Sequence, residues 1–470
     1  MNFIIYDITF LILFIIFVSI FLYHNKKNIK KEGPFLLYKT SWGIKLINYV
    51  GEKYKKTIKF LSYFSISLGY VLMATMMFLI IQTIYLYLTT NISTVIKAPP
   101  VMPLIPYFPR LFGVESFFPP FFFAYFIISI AIILTVHEFT HGIFARRYNL
   151  KIKSTGFAFL RYFPALFGAF VEPDEKQMNK SNNFEQKSIL SAGVFANTIT
   201  AILFYIIFFW FFTFAFTPSG IIFNDYQYSI VEISSISMIN GISLNNFSQE
   251  NIVNLINKTG SNEIKVNGKN YVGIKGFPIN NDKQVALYDD SPAINAKLNG
   301  AIIAVNNEKI NSLDGFRDEL SKYSPGEKVI IKTKTDTEEK DYKIVLGEKP
   351  QKENFPLIGV GFIDPKRTGI TGKLFTAFSY FKKPNVYYEP KLNSNIFIKD
   401  LLWWIIVINI LVALFNMLPL GFLDGGRFFY LTILGITGSE KIAKKSFAFL
   451  TYFILFLFIL LMIKWAISFF

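Results

Sequence analysis

The sequence predicts a polytopic α-helical membrane protein. It has about six transmembrane helices, a membrane-associated hairpin, and an inserted α+β region outside the bilayer. Three observations carry that prediction. Of the 470 residues, 52% are hydrophobic and 18% aromatic. Six nearly uncharged runs, 8–23, 62–88, 121–145, 188–216, 398–418 and 446–468, read as spanning helices. Residues 217–395 break the pattern, with more Asn, Lys and Gly, shorter strand-like segments and no spanning run.

The first run lacks a basic leader and a small-residue cleavage site, so it reads as a membrane helix rather than a signal peptide. Between it and the second run lie ten lysines, Lys26 to Lys59, against only Glu32 and Glu52. Lysines concentrated beside membrane helices act as topology signals, which puts residues 24–61 on the cytoplasmic side. That placement accounts for the net charge of +16 without nucleic acid, and contact of the lysines with anionic lipid of the bilayer is the secondary reading. The second helix then exits, the Pro- and aromatic-rich loop 89–120 is outside, and the third helix returns inward to Arg146, Arg147, Lys151 and Lys153. By the same alternation 217–395 is extracytoplasmic and "GSEKIAKKS" (438–446) is inside.

The apolar segment "GFAFLRYFPALFGAFVEP" (156–173) is interrupted by Arg161 and Pro164. It is too short and broken to span and fits a re-entrant or interfacial hairpin. The chain has no cysteine, which excludes disulfides, thiolate metal ligands and a cysteine nucleophile. The resulting organisation is 1–120, N-terminal helices with the basic loop; 121–216, a core of helix, hairpin and helix; 217–395, the insert; and 396–470, a second part of the core.

The third helix carries "HEFTH", using two of the chain's three histidines. Ionisable groups at membrane depth are costly and mark function. His137 and His141 are four apart, so a helix turns both imidazoles to one face, half of a tetrahedral zinc site. Glu138 is placed to take a proton from a zinc-bound water. A catalytic zinc needs a third protein ligand, and His24 lies at the end of the first helix. The intramembrane carboxylate of the right kind is Asp424 in "NMLPLGFLDGGR" (416–427), where Pro419 breaks a helix and Gly421, Gly425 and Gly426 permit a tight turn. The plain alternative for Asp424 is a helix N-cap.

His-Glu-x-x-His on one membrane helix, followed by Asn-x-x-Pro-x-x-x-Leu-Asp-Gly on a later one, resembles the site-2 protease family of intramembrane zinc metalloproteases. "GAFVEPDE" (168–175) and "SAGVFAN" (191–197) resemble it too, although Val194 stands where the family usually has proline. The resemblance covers most of 121–430. It implies His137, His141 and Asp424 as Zn2+ ligands, Glu138 as general base, and Asn197 and Asn416 as holders of the substrate backbone or the oxyanion. It further implies membrane-spanning protein substrates and regulated intramembrane proteolysis.

In the insert, "ISMINGISLNNFSQENIVNLINKTG" (236–260) matches "IIAVNNEKINSLDGFRDELSKYSPG" at an offset of 66, aligning Asn240 with Asn306 and Gly260 with Gly326. A fixed offset suggests a duplicated unit, so the insert holds one or two small domains. The second copy resembles a PDZ domain, a fold that binds extended peptides by strand addition, with Gly300-Ala301 where many members carry Gly-Asp. A prenyl-protein peptidase also uses His-Glu-x-x-His, but its third ligand is a glutamate, and Leu423-Asp424-Gly425 argues against it. A catalytically inactive scaffold that binds partners through the insert is the alternative from another class, and intact His137, Glu138, His141 and Asp424 argue against degeneration. A cation transporter is disfavoured by the lack of an inverted repeat. No signal for oligomeric state is present.

Overall fold

The computed structural model describes residues 3–90, 97–102, 104–243, 255, 262–279, 283–335, 338–349, 352–362, 376 and 381–467. The chain divides into two compact units, Met1–Phe211 with Ile396–Phe470, and Phe212–Asn395.

The first unit is built on long apolar helices: α1 (Phe3–His24), α3 (Lys55–Thr89), α4 (Phe123–Arg147), α6 (Asn183–Ala215), α7 (Ser394–Asn416) and α9 (Glu440–Ile467). Among the described residues these six are long and apolar enough to cross a membrane. Shorter helices join them: α2 (Ile44–Lys53), α5 (Glu175–Lys180) and α8 (Asp424–Thr437).

The start of α4 has no side-chain cap of its own, because the residue before it is Phe122. The cap comes from α1. Asp7, 2% exposed, accepts hydrogen bonds from the backbone N–H groups of Phe123 (2.7 Å) and Ala124 (2.9 Å) and from the Tyr107 hydroxyl (2.6 Å). A carboxylate there satisfies orphan donors and meets the positive end of the helix dipole.

The segment 156–173 forms a hairpin, β3 (Ile152–Leu160) and β4 (Phe167–Pro173), antiparallel with Thr155 opposite Val171. It does not cross the membrane as a helix: Phe159 packs against Val18 and Leu22 of α1, and Phe14 lies 6.2 Å from Phe167 between ring centres. The lysine-rich stretch after α1, expected to be a loop, contributes structure as well. Its strands β1 (Ile29–Glu32) and β2 (Phe35–Thr40) add to the hairpin to give a four-stranded sheet in the order β1-β2-β3-β4, leaving β4 at an edge. The helix α2 then packs on α4. Ile47 is fully buried there, and a Cβ on Gly142 would stand 3.0 Å from both Ile47 and Val171. Glu52 pairs with Arg146.

The second unit is sheet-rich. One sheet orders its strands as Tyr228–Glu232, Gln284–Asp289, Lys269–Ile279, Ile264–Val266, Ile236–Ile239 and Ile242–Ser243. The other runs Glu339–Val345, Lys328–Lys334, Ala301–Val305, Phe216–Ile221 and Val386–Pro390, with Glu308–Lys309 paired to Ala301–Val305. Each has its own apolar core, around Ile239, Ile264 and Leu287 in the first and Ile302, Phe316 and Ile331 in the second.

The 66-residue offset recurs in two hairpins. Ile242–Ser243 follows Ile239 as Glu308–Lys309 follows Val305, and both two-residue turns have left-handed backbone: Asn240 (φ 50°) and Gly241 (φ 82°) in one, Asn306 (φ 45°) and Asn307 (φ 73°) in the other. Such turns match the twist of paired strands. The Asn240 side chain accepts from the Glu263 N–H, and the Asn306 side chain from the Ile330 N–H. In the second copy the helix Leu313–Leu320 follows, capped by Ser312 on the Gly315 N–H. The corresponding part of the first copy, 244–260, lies outside the described residues apart from Leu255.

Candidate metal centre

Three elements meet at His137. On α4, the four-residue spacing brings His137 Nε2 and His141 Nε2 to 3.0 Å from each other. Opposite them, α7 ends at Asn416 and the chain turns through Pro419 before α8 begins. The turn is tight. A Cβ on Gly425 would strike the backbone of Met417 and Leu418, and one on Gly426 the Leu420 carbonyl. Only glycines let the new helix start against the end of the old one.

That turn delivers Asp424. It is not an N-cap: Leu423 occupies that position, Asp424 is the first helical residue, and no side-chain cap bond forms. Instead its Oδ2 lies 3.4 Å from His137 Nε2 and 3.3 Å from His141 Nε2. The start of α8 is tied down by Arg427, which donates to Asn179 Oδ1 and Gln186 Oε1 (2.7 Å each), and by Asn183, whose amide donates to the Leu431 carbonyl (2.7 Å).

These donors fit a metal ion. Tetrahedral coordination with bonds of about 2.0–2.1 Å requires ligand atoms about 3.3–3.4 Å apart. The three separations here are 3.0, 3.3 and 3.4 Å. Two neutral nitrogens and one carboxylate oxygen form a donor set suited to zinc with one position left open. Among the described residues, His137, His141 and Asp424 are the group of His and acidic side chains so gathered.

The helix α6 forms the floor. A Cβ on Gly193 would lie 2.5 Å from His137 Nε2 and closer still to His141 Nε2, so glycine alone leaves the site open. On either side of Gly193 the same helix holds the far nitrogens of the rings. His141 Nδ1 faces the Ile189 carbonyl at 2.7 Å, and His137 Nδ1 faces the Asn197 amide at 3.0 Å.

Glu138 points to the sheet: its Oε2 accepts from the Val171 N–H of β4 at 3.0 Å. Asn416 brings its amide nitrogen to 3.5 Å from His137 Nε2, on the side of the donor cluster. Asn197 does not lie on that side. The expectation is that it holds substrate or the oxyanion, but its amide is engaged with the ring nitrogen that points away from the cluster. The six residues singled out in the sequence thus gather about one point. Gly193, Ile189, Val171 and Arg427 escape a reading of the sequence. Two of those four act through backbone groups, and Gly193 and Arg427 acquire meaning only from neighbours far along the chain.

Long apolar helices gathered about a His-His-Asp cluster with a carboxylate beside it define a class, the membrane metallopeptidases. The chain belongs to peptidase family M50, the site-2 protease family, whose sequence profile matches residues 125–462. An uncharacterised protein of Methanocaldococcus jannaschii is 25% identical over 300 residues, 64% of this chain and 54% of that relative. The match thus spans about half the length of the relative.

Proposed function

We propose that this protein is an intramembrane zinc metalloprotease that hydrolyses a peptide bond in or next to the transmembrane helix of a membrane-anchored substrate. The convergence of His137, His141 and Asp424, contributed by two separate helices of an M50 chain, carries this reading. Zinc, when bound by these three residues, supplies a Lewis acid for the scissile carbonyl and lowers the pKa of its water.

The chain's own groups do the rest. Glu138 accepts the proton of the attacking water and returns it to the leaving amine. Its Oε2 is anchored to the Val171 N–H, so Oε1 is the oxygen left without that bond for the proton transfer. The Asn416 amide donates to the oxyanion as charge develops. A helix hides its carbonyls in internal hydrogen bonds, so the substrate must unwind first. The edge strand β4 offers unwound chain a partner by strand addition. Pairing stops near Val171, whose N–H is already held by Glu138, so the edge groups nearer the hairpin tip take the substrate.

The lysine-rich segment and Arg146–Arg147 support an active site near the cytoplasmic side, with the insert outside. The insert, PDZ-like in its second copy, then filters substrates by the bulk or the tail they carry outside the membrane. That role belongs to regulated intramembrane proteolysis.

The test uses the full chain in detergent, measuring bound metal together with cleavage of a reporter transmembrane peptide. Wild type should hold about one zinc and cut. Glu138→Gln should keep zinc and be inert, and Asp424→Ala should lose both. Wild type that binds no zinc, or Glu138→Gln that still cuts, removes the protease reading.

A further inference from the structure

The two histidines hold their outward nitrogens in different ways. For His141 the partner is the Ile189 carbonyl at 2.7 Å, which can only accept. Nδ1 of His141 therefore carries the proton, and its Nε2 presents a lone pair to the cluster. For His137 the partner is the side-chain amide of Asn197 at 3.0 Å, with the nitrogen end placed towards the ring. Taken at face value, that orientation makes His137 Nδ1 an acceptor. The ring proton would then sit on Nε2, 3.0 Å from the His141 Nε2 lone pair and pointed at the metal position.

A second observation shows that no other hydrogen bond fixes that orientation. Asn197 is fully buried, and its Oδ1 has no hydrogen-bond partner. Oxygen and nitrogen of an amide are assigned from the surrounding network, since their positions are nearly interchangeable. Turning the amide over places Oδ1 against His137 Nδ1–H. Both rings then share one tautomer and both Nε2 lone pairs face the metal position beside Asp424. The amide nitrogen takes the place left by the oxygen, so the tautomer and not the bond count favours this orientation.

We infer that Asn197 is a positioning residue for the metal site: its Oδ1 accepts the Nδ1 proton of His137 and so holds the Nε2 lone pair on the metal. The helix α6 then acts as a template for both ligands, through the Ile189 carbonyl, the bare Gly193 and the Asn197 oxygen, four residues apart in turn. The role differs from holding substrate, and it builds on the metal-site reading above.

The experiment separates the two. Zinc affinity of the purified full chain is measured by chelator competition for wild type, Asn197→Ala and Asn197→Asp, with size-exclusion profiles to check folding. Loss of an outer-shell partner typically weakens metal binding about 10–100-fold, and Asn197→Ala should do so. Aspartate can only accept, so Asn197→Asp should restore affinity to within about threefold of wild type. If Asn197→Asp binds as poorly as Asn197→Ala, the accepting role is wrong. If Asn197→Ala keeps wild-type affinity and loses only turnover, Asn197 serves the substrate and the inference falls.

A second readout does not depend on zinc. The chain has three histidines, so 15N-histidine spectra of the metal-free protein contain three ring pairs, and His24→Gln removes one. An Nδ1–H signature for His137 that disappears in Asn197→Ala supports the inference. An Nε2–H signature without Nδ1–H overturns it. Should wild type bind no zinc, the protease reading fails, while this spectrum still decides the role of Asn197.

Discussion

Buried polar side chains mean different things in the two units. In the membrane unit many have an assignable role. Asp7 caps α4, His137, His141 and Asp424 converge, and Asn197 lies against the His137 ring. In the insert, Asp289 is satisfied by Ser229 and Lys269, and Glu319 by Lys322 and Tyr323. Those pairs stabilise local structure and point to no chemistry. The difference is one of solvent. Hydrocarbon makes an ionisable group expensive, so one that persists there marks a function by default. In the insert each buried carboxylate has a lysine partner that offsets its burial, and its presence says correspondingly less.

The comparison is sharpened most by Gly193→Ala. The added methyl would overlap both metal-facing nitrogens, so zinc affinity and cleavage should fall by at least about 100-fold, beyond the loss of an outer-shell partner. Yet alanine inside a helix is favoured over glycine by about 0.5–1 kcal/mol, which limits any loss of stability. Metal binding should collapse while the unfolding temperature scarcely falls. Parallel loss of both would show that Gly193 serves packing and not the site.

Legibility in the sequence follows the same division. The six spans show as uninterrupted apolar runs, and the hairpin as one broken by Arg161 and Pro164. The start of α3 differs: the apolar run begins at 62, the helix at Lys55, because it continues into lysine-rich sequence that hydropathy does not register. The strands β1 and β2 are hidden for a different reason. In "NIKKEGPFLLYKT" the two strands pair with each other as a short lysine-rich hairpin, and β2 finds its second partner, β3, more than a hundred residues later. Asp7 stands just before the first apolar run, and nothing local distinguishes a carboxylate that caps a distant helix. In the insert, the 66-residue offset and the two-residue turns at Asn240 and Asn306 mark the same hairpin twice.

A smaller effect probes the insert. Phe316 is 3% exposed in the core with Ile302 and Ile331. Phe316→Ala removes a buried ring and should cost about 3–5 kcal/mol, read as earlier proteolysis of residues 212–395. Zinc affinity should stay within about twofold of wild type, because all three ligands belong to the other unit. A matching loss of zinc would break the separation drawn between the two units.

The smallest effect tests whether every polar group in the membrane unit is tied to the chemistry. Asp7→Ala leaves the N–H groups of Phe123 and Ala124 and the Tyr107 hydroxyl without their acceptor. Hydrogen bonds to a charged group are worth about 1.5–3 kcal/mol, so thermal stability in detergent should drop by roughly that amount. Asp7→Asn keeps an acceptor and should lose about half as much. His137 lies fourteen residues along α4 from Phe123, about 21 Å at 1.5 Å per residue. Fraying of the outer turns should therefore not reach the ligands, and zinc affinity should be unchanged. If zinc affinity falls with stability, α4 responds as one rigid element, and Asp7 sets the position of the histidines from the far end of their helix.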